Sequence, residues 1–196
     1  MFASAAERRR AVARGDEEAW RRGTPGHGPN SPLLFGAPEG ATENRAVAHT
    51  FTCLHCHFVF STKNRQPLVS PELRPRLYDY MGGILRSERG VMIAIGGIPD
   101  HVHILARVHQ QTALSDLMRV LKSRSSGWVH DTFPDRQSFA WQSGYGAFTV
   151  SYSQLDKVAA YIQNQEDHHR VKSFQDEFRE FLRAHGLEPD EEHMWE

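Results

Sequence analysis

Disulfides, membrane spans and a dominant charge are all missing from this chain, and each absence narrows what it can be. Only two cysteines occur in 196 residues, Cys53 and Cys56. A spacing of three in a strand-like stretch puts them on opposite faces, where they cannot easily bridge, so no disulfide framework is expected. No run approaches the roughly eighteen apolar residues of a membrane span, and the N-terminus has no apolar segment of a secretory signal. A cytoplasmic protein with no membrane partner is expected. Lys and Arg number 23 against 24 Asp and Glu, for a net charge of −1. Residues 1–48 carry seven Arg against six acidic residues, 49–170 thirteen basic against ten acidic, and 171–196 three against eight. Phosphate binding needs a local basic patch rather than a basic whole, so this balance neither supports nor excludes nucleic acid. There is no internal repeat.

A hydrophobic content of 39% can build one good core, and the length favours one domain. Residues 1–48 join an Arg- and Ala-rich start to a Gly- and Pro-dense stretch over 23–40. Such a stretch buries little apolar surface to offset its ordering entropy, so 1–48 reads as a disordered or loosely packed extension. Order is expected over 49–186, with an acidic tail over 187–196.

Within 49–186 the hydrophobic periods alternate between two and 3.6. Over 51–60, Leu54, Cys56, Phe58 and Phe60 share one face and Cys53, His55, His57 and Val59 the other, which predicts a half-buried strand with a polar open face. Ser70-Pro71-Glu72 reads as a capped helix start, followed by Leu73, Leu77, Met81, Ile84 and Leu85 at helical spacing up to Gly90. Strands over 91–95 and 101–108 form a hairpin. A second helix opens at Thr112 with Leu114, Leu117, Leu121 and Trp128 on its buried side, and a fourth strand spans 148–152. Ser153 to Asp156 resembles a capping box for a helix carrying Tyr161 and Gln165. A last helix begins at Ser173 with the stripe Phe174, Phe178 and Phe181 and stops at Gly186. The order strand, helix, strand, strand, helix, strand predicts an α+β, ferredoxin-like (RRM-like) antiparallel sheet. It has helices on one face, the other face free for a ligand, and extra C-terminal helices.

Two short motifs carry the chemistry. In Pro99-Asp100-His101-Val102-His103-Ile104-Leu105, strand alternation projects His101 and His103 together and turns Val102 and Ile104 to the core. In Tyr161-Ile162-Gln163-Asn164-Gln165, a continuous helix would put Tyr161 and Gln165 one turn apart on one face. Two imidazoles, an amide and a phenol can form a metal site beside a tyrosine nucleophile, a combination suited to phosphodiester chemistry on nucleic acid. Either motif alone has a blander reading, as polar strand histidines or as a rim tyrosine.

Together with Phe60-Ser61-Thr62-Lys63-Asn64-Arg65, Trp141-Gln142-Ser143-Gly144-Tyr145-Gly146-Ala147-Phe148 and the following Glu166 and His168-His169, these motifs resemble the HUH single-tyrosine transposases. The likeness is to the REP-associated tyrosine and insertion-sequence transposases, and it runs from about residue 49 to 195. It implies a metal-dependent endonuclease and strand transferase acting on single-stranded DNA beside a hairpin, as a homodimer in a cytoplasmic, nucleoid-associated setting. It further implies Tyr161 as the nucleophile that takes a 5′ phosphate, and His101, His103 and Gln165 as ligands of Mg²⁺ or Mn²⁺, the imidazoles also admitting zinc. In related proteins the tyrosine helix can serve the partner's site.

Around this centre, Lys63, Arg65, Arg119, Lys122 and Arg124 are candidates for phosphate contact. His55 and His57 are possible auxiliaries behind the metal. His168, seven residues beyond Tyr161, shares its face and reads mainly as a solvated helix-end histidine. Trp141 and Tyr145 read either as base-stacking groups or as core. A zinc site from Cys53, His55, Cys56 and His57 is disfavoured by their opposite faces. The alternative function is a non-catalytic ferredoxin-like nucleic-acid-binding protein, which is weakened by histidines where stacking rings would be wanted. A histidine-triad hydrolase is disfavoured by Leu105.

Overall fold

A computed structural model describes residues 51–192, 194 and 195. The extension expected over 1–48 lies outside the described residues. Four strands, β1 (His55–Ser61), β2 (Val91–Ile98), β3 (His101–Arg107) and β4 (Gly146–Thr149), form one antiparallel sheet in the order β2-β3-β1-β4. Helix α1 (Arg74–Ser87) joins β1 to β2, and α2 (Leu114–Thr132) joins β3 to β4. This is the ferredoxin-like order expected from the sequence.

The sheet's two faces do different work. Phe58, Phe60, Val102, Ile104 and Ala106 point to one side and pack under Leu77, Met81 and Leu85 of α1 and Leu117, Met118 and Leu121 of α2. Burial of each such large side chain contributes about 1.5–3 kcal/mol. The opposite side carries His57, Val59, His103 and Leu105, with Val59 paired to His103 and His57 to Leu105. The sequence left this side open, but three further helices cover it: α3 (Leu155–Gln163), α4 (Gln165–His168) and α5 (Phe174–Ala184). Ile162 of α3 packs on Ala94 and Leu105, and Phe174 of α5 packs on Val59 and Phe148. Every residue of β1 is therefore buried, where a polar open face was expected.

Several element ends also differ from expectation, each for a local reason. Helix α1 begins at Arg74 rather than at Pro71, because Pro75 has no N–H to donate and is tolerated only in the first turn. Ser70 instead closes a turn, its Oγ accepting from the Leu73 amide at 3.4 Å. Helix α2 begins at Leu114, with Trp128 half-buried and Val129 in its place inside. Strand β4 lies two to three residues earlier than expected, since Tyr152–Gln154 turns as a 3₁₀ helix. That turn absorbs Ser153, so no side chain caps α3 and the capping box does not form. Ser173 does cap α5, accepting from the Asp176 amide. The tail folds back on α5: Arg179 pairs with Glu191, and Trp195 lies against Phe174 and Phe178.

Candidate metal and tyrosine site

Strand alternation puts His101 and His103 on the helix-covered side of β3, and both are fully buried. Their unlike neighbours fix their orientation. His101 Nδ1 lies 2.7 Å from Asp100 Oδ1, and His103 Nδ1 lies 2.9 Å from His57 Nε2. Both Nε2 atoms are left without a hydrogen-bond partner. His57 thus stands directly behind His103, whereas His55 sits at the strand's far end against Cys53 and Tyr152 and does not join the group.

The helix of the second motif is broken. Asn164 (φ −99, ψ 23) separates α3 from α4; its backbone N–H reaches the Ala160 and Tyr161 carbonyls, and its side-chain amide adds a second bond to Ala160 at 2.9 Å. Tyr161 and Gln165 therefore lie on different helices, not one turn apart on a single one. Both still reach the histidines' neighbourhood. The Tyr161 ring centroid is 6.0 Å from that of His103 and 5.2 Å from that of His168. Gln165 is buried, its Nε2 donating to Glu177 Oε1 at 3.3 Å while its Oε1 has no partner. Gly96, opposite His103 in the sheet, lets α3 approach this closely: a Cβ there would stand 1.9 Å from the Ile162 carbonyl oxygen.

Two residues the sequence reading did not select complete the cluster. His169 Nδ1 donates to the Lys172 carbonyl at 2.8 Å, leaving its Nε2 unpartnered, and Glu177 is 3% exposed with Oε2 unpartnered. One ligand atom from each of His101, His103, His169 and Glu177 lies within 4.8 Å of the others, the one such group among the described residues. His168, read as solvated, instead brings Nε2 to 3.4 Å from Glu177 Oε1. A signal for Glu177 exists in the sequence. With Phe174, Phe178 and Phe181 it falls at i, i+3, i+4 and i+7, so it is a carboxylate on the apolar stripe of α5.

Burial sets the electrostatics. It holds the His103 imidazole well below its ordinary range, helped by repulsion from His101, His57, His169 and His168. Burial, then His185, pushes His57 down to about 4, and burial, then Glu180, pushes the Glu177 carboxyl up to about 8. At neutral pH the buried His57 and His103 are thus uncharged and able to offer lone pairs. A cleft of about 700 Å³, lined by Tyr161, His168, Lys172, Phe181 and His185, opens beside the tyrosine.

The basic candidates are dispersed. Lys63 is exposed on the 3₁₀ turn after β1, next to Arg65, whose guanidinium lies over the Trp195 ring. Arg119 and Arg124 are exposed on α2, across the sheet from the histidines. Lys122 donates to the carbonyls of Gln142, Ser143 and Gly144 and lies over the rings of Phe60 and Tyr145, so it staples a loop. Trp141 is core, donating to Ser125 Oγ at 2.8 Å, while Tyr145 is exposed. Cys53 and Cys56 are both free, one exposed and one buried. No helix among the described residues is long and apolar enough to cross a membrane.

Comparison with known proteins identifies the family. Over 119 residues, 58% of this chain and 85% of the relative, the sequence is 26% identical to the ISDra2 transposase TnpA of Deinococcus radiodurans. Over 128 residues, 63% of this chain and 84% of the relative, it is 25% identical to the transposase of insertion sequence element IS200 of Salmonella typhimurium. A crystal structure of a Deinococcus radiodurans protein assigned as a transposase is 24% identical, spans 60% of this chain and 95% of that one, and superposes with a TM-score of 0.48. The family model described as "Transposase IS200 like" matches residues 50–165, more than half of the sequence, and the chain belongs to that family.

Proposed function

We propose that this transposase-family chain nicks and rejoins single-stranded DNA beside a hairpin through a 5′-phosphotyrosine at Tyr161, with His101, His103 and Gln165 holding Mg²⁺ or Mn²⁺. The observation that carries this reading is a set of buried, unpartnered donor atoms, His101 Nε2, His103 Nε2 and Gln165 Oε1, next to a phenol that lines an open cleft. Buried polar atoms without partners cost about 1–3 kcal/mol each, so several at one place are explained by a cation they were built to meet. The donor set fits such a group, and Asp100 and His57 behind His101 and His103 are the orienting partners that ligating imidazoles use. When bound, the ion stabilises negative charge developing on the phosphate.

The chain's own residues then supply the rest. Tyr161 Oη attacks the phosphorus, forming a phosphotyrosine bond as the bond to the 3′ oxygen breaks and that oxygen takes up a proton as a free 3′ hydroxyl. The phenolic proton passes to a neutral base, and His168, the imidazole nearest the ring, is the group at hand. Attack by a second 3′ hydroxyl reverses the step and returns the proton to Tyr161. The covalent bond conserves the energy of the phosphodiester for rejoining. Lys63 and Arg65 beside the Trp195 tail, and Arg119 and Arg124 on α2, contact phosphates. We assign the catalytic domain to 49–186, with 1–48 outside it and the acidic 187–196 as a tail laid on α5, acting as a homodimer on nucleoid DNA.

The test is incubation of the full chain with labelled hairpin single-stranded DNA from the flanks of its gene, with Mg²⁺ or Mn²⁺. A metal-dependent covalent adduct on a denaturing gel is expected, lost in Tyr161→Phe with DNA binding retained. Tight binding without any adduct, for both strands and both metals, overturns the catalytic reading in favour of a binding role.

A further inference from the structure

We infer that the metal centre of this chain is larger than His101, His103 and Gln165. His169 and Glu177 are direct ligands as well, making a site of three imidazoles and one carboxylate that selects a transition-metal ion of the Mn²⁺, Co²⁺ or Zn²⁺ class over Mg²⁺. The inference rests on the proposed function only in taking His101 and His103 as ligands.

Three observations carry it. The first is convergence. Ligand atoms about 2.1 Å from one ion lie at most about 4.2 Å apart, and one from each of the four residues falls within 4.8 Å of the others. His169 Nε2 is 3.2 Å and His103 Nε2 3.4 Å from Glu177 Oε2. The second is protonation by construction. The Nδ1 of His169 faces a carbonyl, which can only accept, so this nitrogen carries the hydrogen and Nε2 of the neutral ring presents a lone pair inward. His101 is set the same way by the Asp100 carboxylate. The third is burial. The side chains of His101, His103, His169 and Glu177 are 0, 0, 5 and 3% exposed, and His101 Nε2, His103 Nε2, His169 Nε2 and Glu177 Oε2 have no hydrogen-bond partner. Water is largely kept from them, and they face only one another, three imidazole lone pairs around one carboxylate, an arrangement that a cation at their centre satisfies.

The donor chemistry decides the metal. Mg²⁺ prefers six oxygens and keeps several waters, whereas imidazole suits transition ions and the carboxylate suits Mn²⁺ among them. A buried set with three nitrogens and two oxygens, Glu177 Oε2 and Gln165 Oε1, suits Mn²⁺ and its class better than Mg²⁺, which prefers six oxygens and its own waters. Gln165 Oε1, unpartnered alongside, is a fifth donor. Both added ligands lie beyond residue 165, where the match to the family model ends: His169 follows the last turn of α4, and Glu177 stands on α5. Helix α5 thereby becomes part of the metal site rather than a cover over it.

The experiment uses the full chain stripped of metal, then loaded with Mn²⁺ or Zn²⁺. Equilibrium dialysis should give one ion per chain, not displaced by a hundredfold excess of Mg²⁺, and X-ray absorption at the metal edge should count three imidazoles in the wild type. Glu177→Gln and His169→Ala should each weaken binding by at least about tenfold, with far-UV circular dichroism unchanged. Two imidazoles at the edge, ready displacement by Mg²⁺, or wild-type affinity in both variants while His101→Ala loses the ion, overturns the enlarged site and leaves the proposed function standing. A wild-type chain that binds no divalent ion at all overturns both.

Discussion

Replacing Gly96 by alanine tests how the tyrosine helix is held against the sheet. The new Cβ would stand 1.9 Å from the carbonyl oxygen, 2.9 Å from the carbonyl carbon and 3.2 Å from Cγ2 of Ile162. Two of these atoms are backbone, so no rotamer change relieves the clash. Restoring ordinary contact near 3.5 Å requires α3 to move off β2 by roughly 1.5 Å. Overpacking of this kind typically costs about 1–3 kcal/mol. Tyr161 precedes Ile162, so the phenol moves with it, and a misplacement of about 1 Å costs on the order of 100-fold in rate. Urea unfolding should show the loss of stability, and a time course of adduct formation the loss of rate. Gly127, in the middle of α2, is the control, since its added Cβ meets nothing within 4 Å. There the same substitution should stabilise by about 0.5–1 kcal/mol, because alanine is the better helix former. A Gly96→Ala protein as stable and as fast as wild type would refute the close approach.

Further outcomes follow from the same geometry. In the metal-free chain Glu177 takes a proton more readily folded than unfolded, its carboxyl rising from 4.5 to about 8. Its contribution is therefore full below about pH 4.5 and is lost as pH rises through about 8, on the order of 5 kcal/mol. His57, lowered from 6.5 to about 4, acts oppositely, its contribution present above about 6.5 and lost as pH falls through about 4. Glu177→Gln should accordingly remove the alkaline loss alone, seen by denaturant unfolding in chelator between pH 5 and 9, and an unchanged profile would contradict it. Lys122→Ala, which removes three donors from the loop carbonyls, should cost about 1–3 kcal/mol in thermal unfolding and leave the salt dependence of DNA binding nearly unchanged. Lys63→Ala should do the reverse, flattening the salt slope by about 0.7 on single-stranded DNA without loss of stability. Trp141→Phe should cost about 1 kcal/mol for the lost bond to Ser125 and leave base binding intact.

What the sequence made legible was what depends on neighbours a few residues apart. Alternation around Val102 put His101 and His103 on one side, and the element order led to the ferredoxin-like sheet. The α5 stripe and its Ser173 cap were readable for the same reason. What escaped depends on contacts distant in sequence. Nothing local says that α3 to α5 fold over the histidine face, so β1 looked half-exposed and His168 looked solvated. Glu177 falls on the apolar stripe of α5 in the sequence, but its burial becomes necessary only once Phe174 and Phe181 are seen to face Val59, His57 and His103. The break at Asn164 was hidden because the helical ladder is nearly kept across it: the Asn164 N–H still reaches the Ala160 carbonyl and the His168 N–H the Asn164 carbonyl.

The central claim is that Tyr161 is the atom donor to DNA phosphorus, and its most direct test is to locate the bond. Full-length protein is reacted with hairpin single-stranded DNA and Mn²⁺, treated with nuclease, digested, and sequenced by tandem mass spectrometry. The account predicts a nucleotide remnant on the peptide containing Tyr161, attached through its 5′ phosphate and absent when metal is withheld. A remnant on Tyr145, Tyr152 or any other residue, or cleaved DNA with no protein-bound nucleotide, would contradict it.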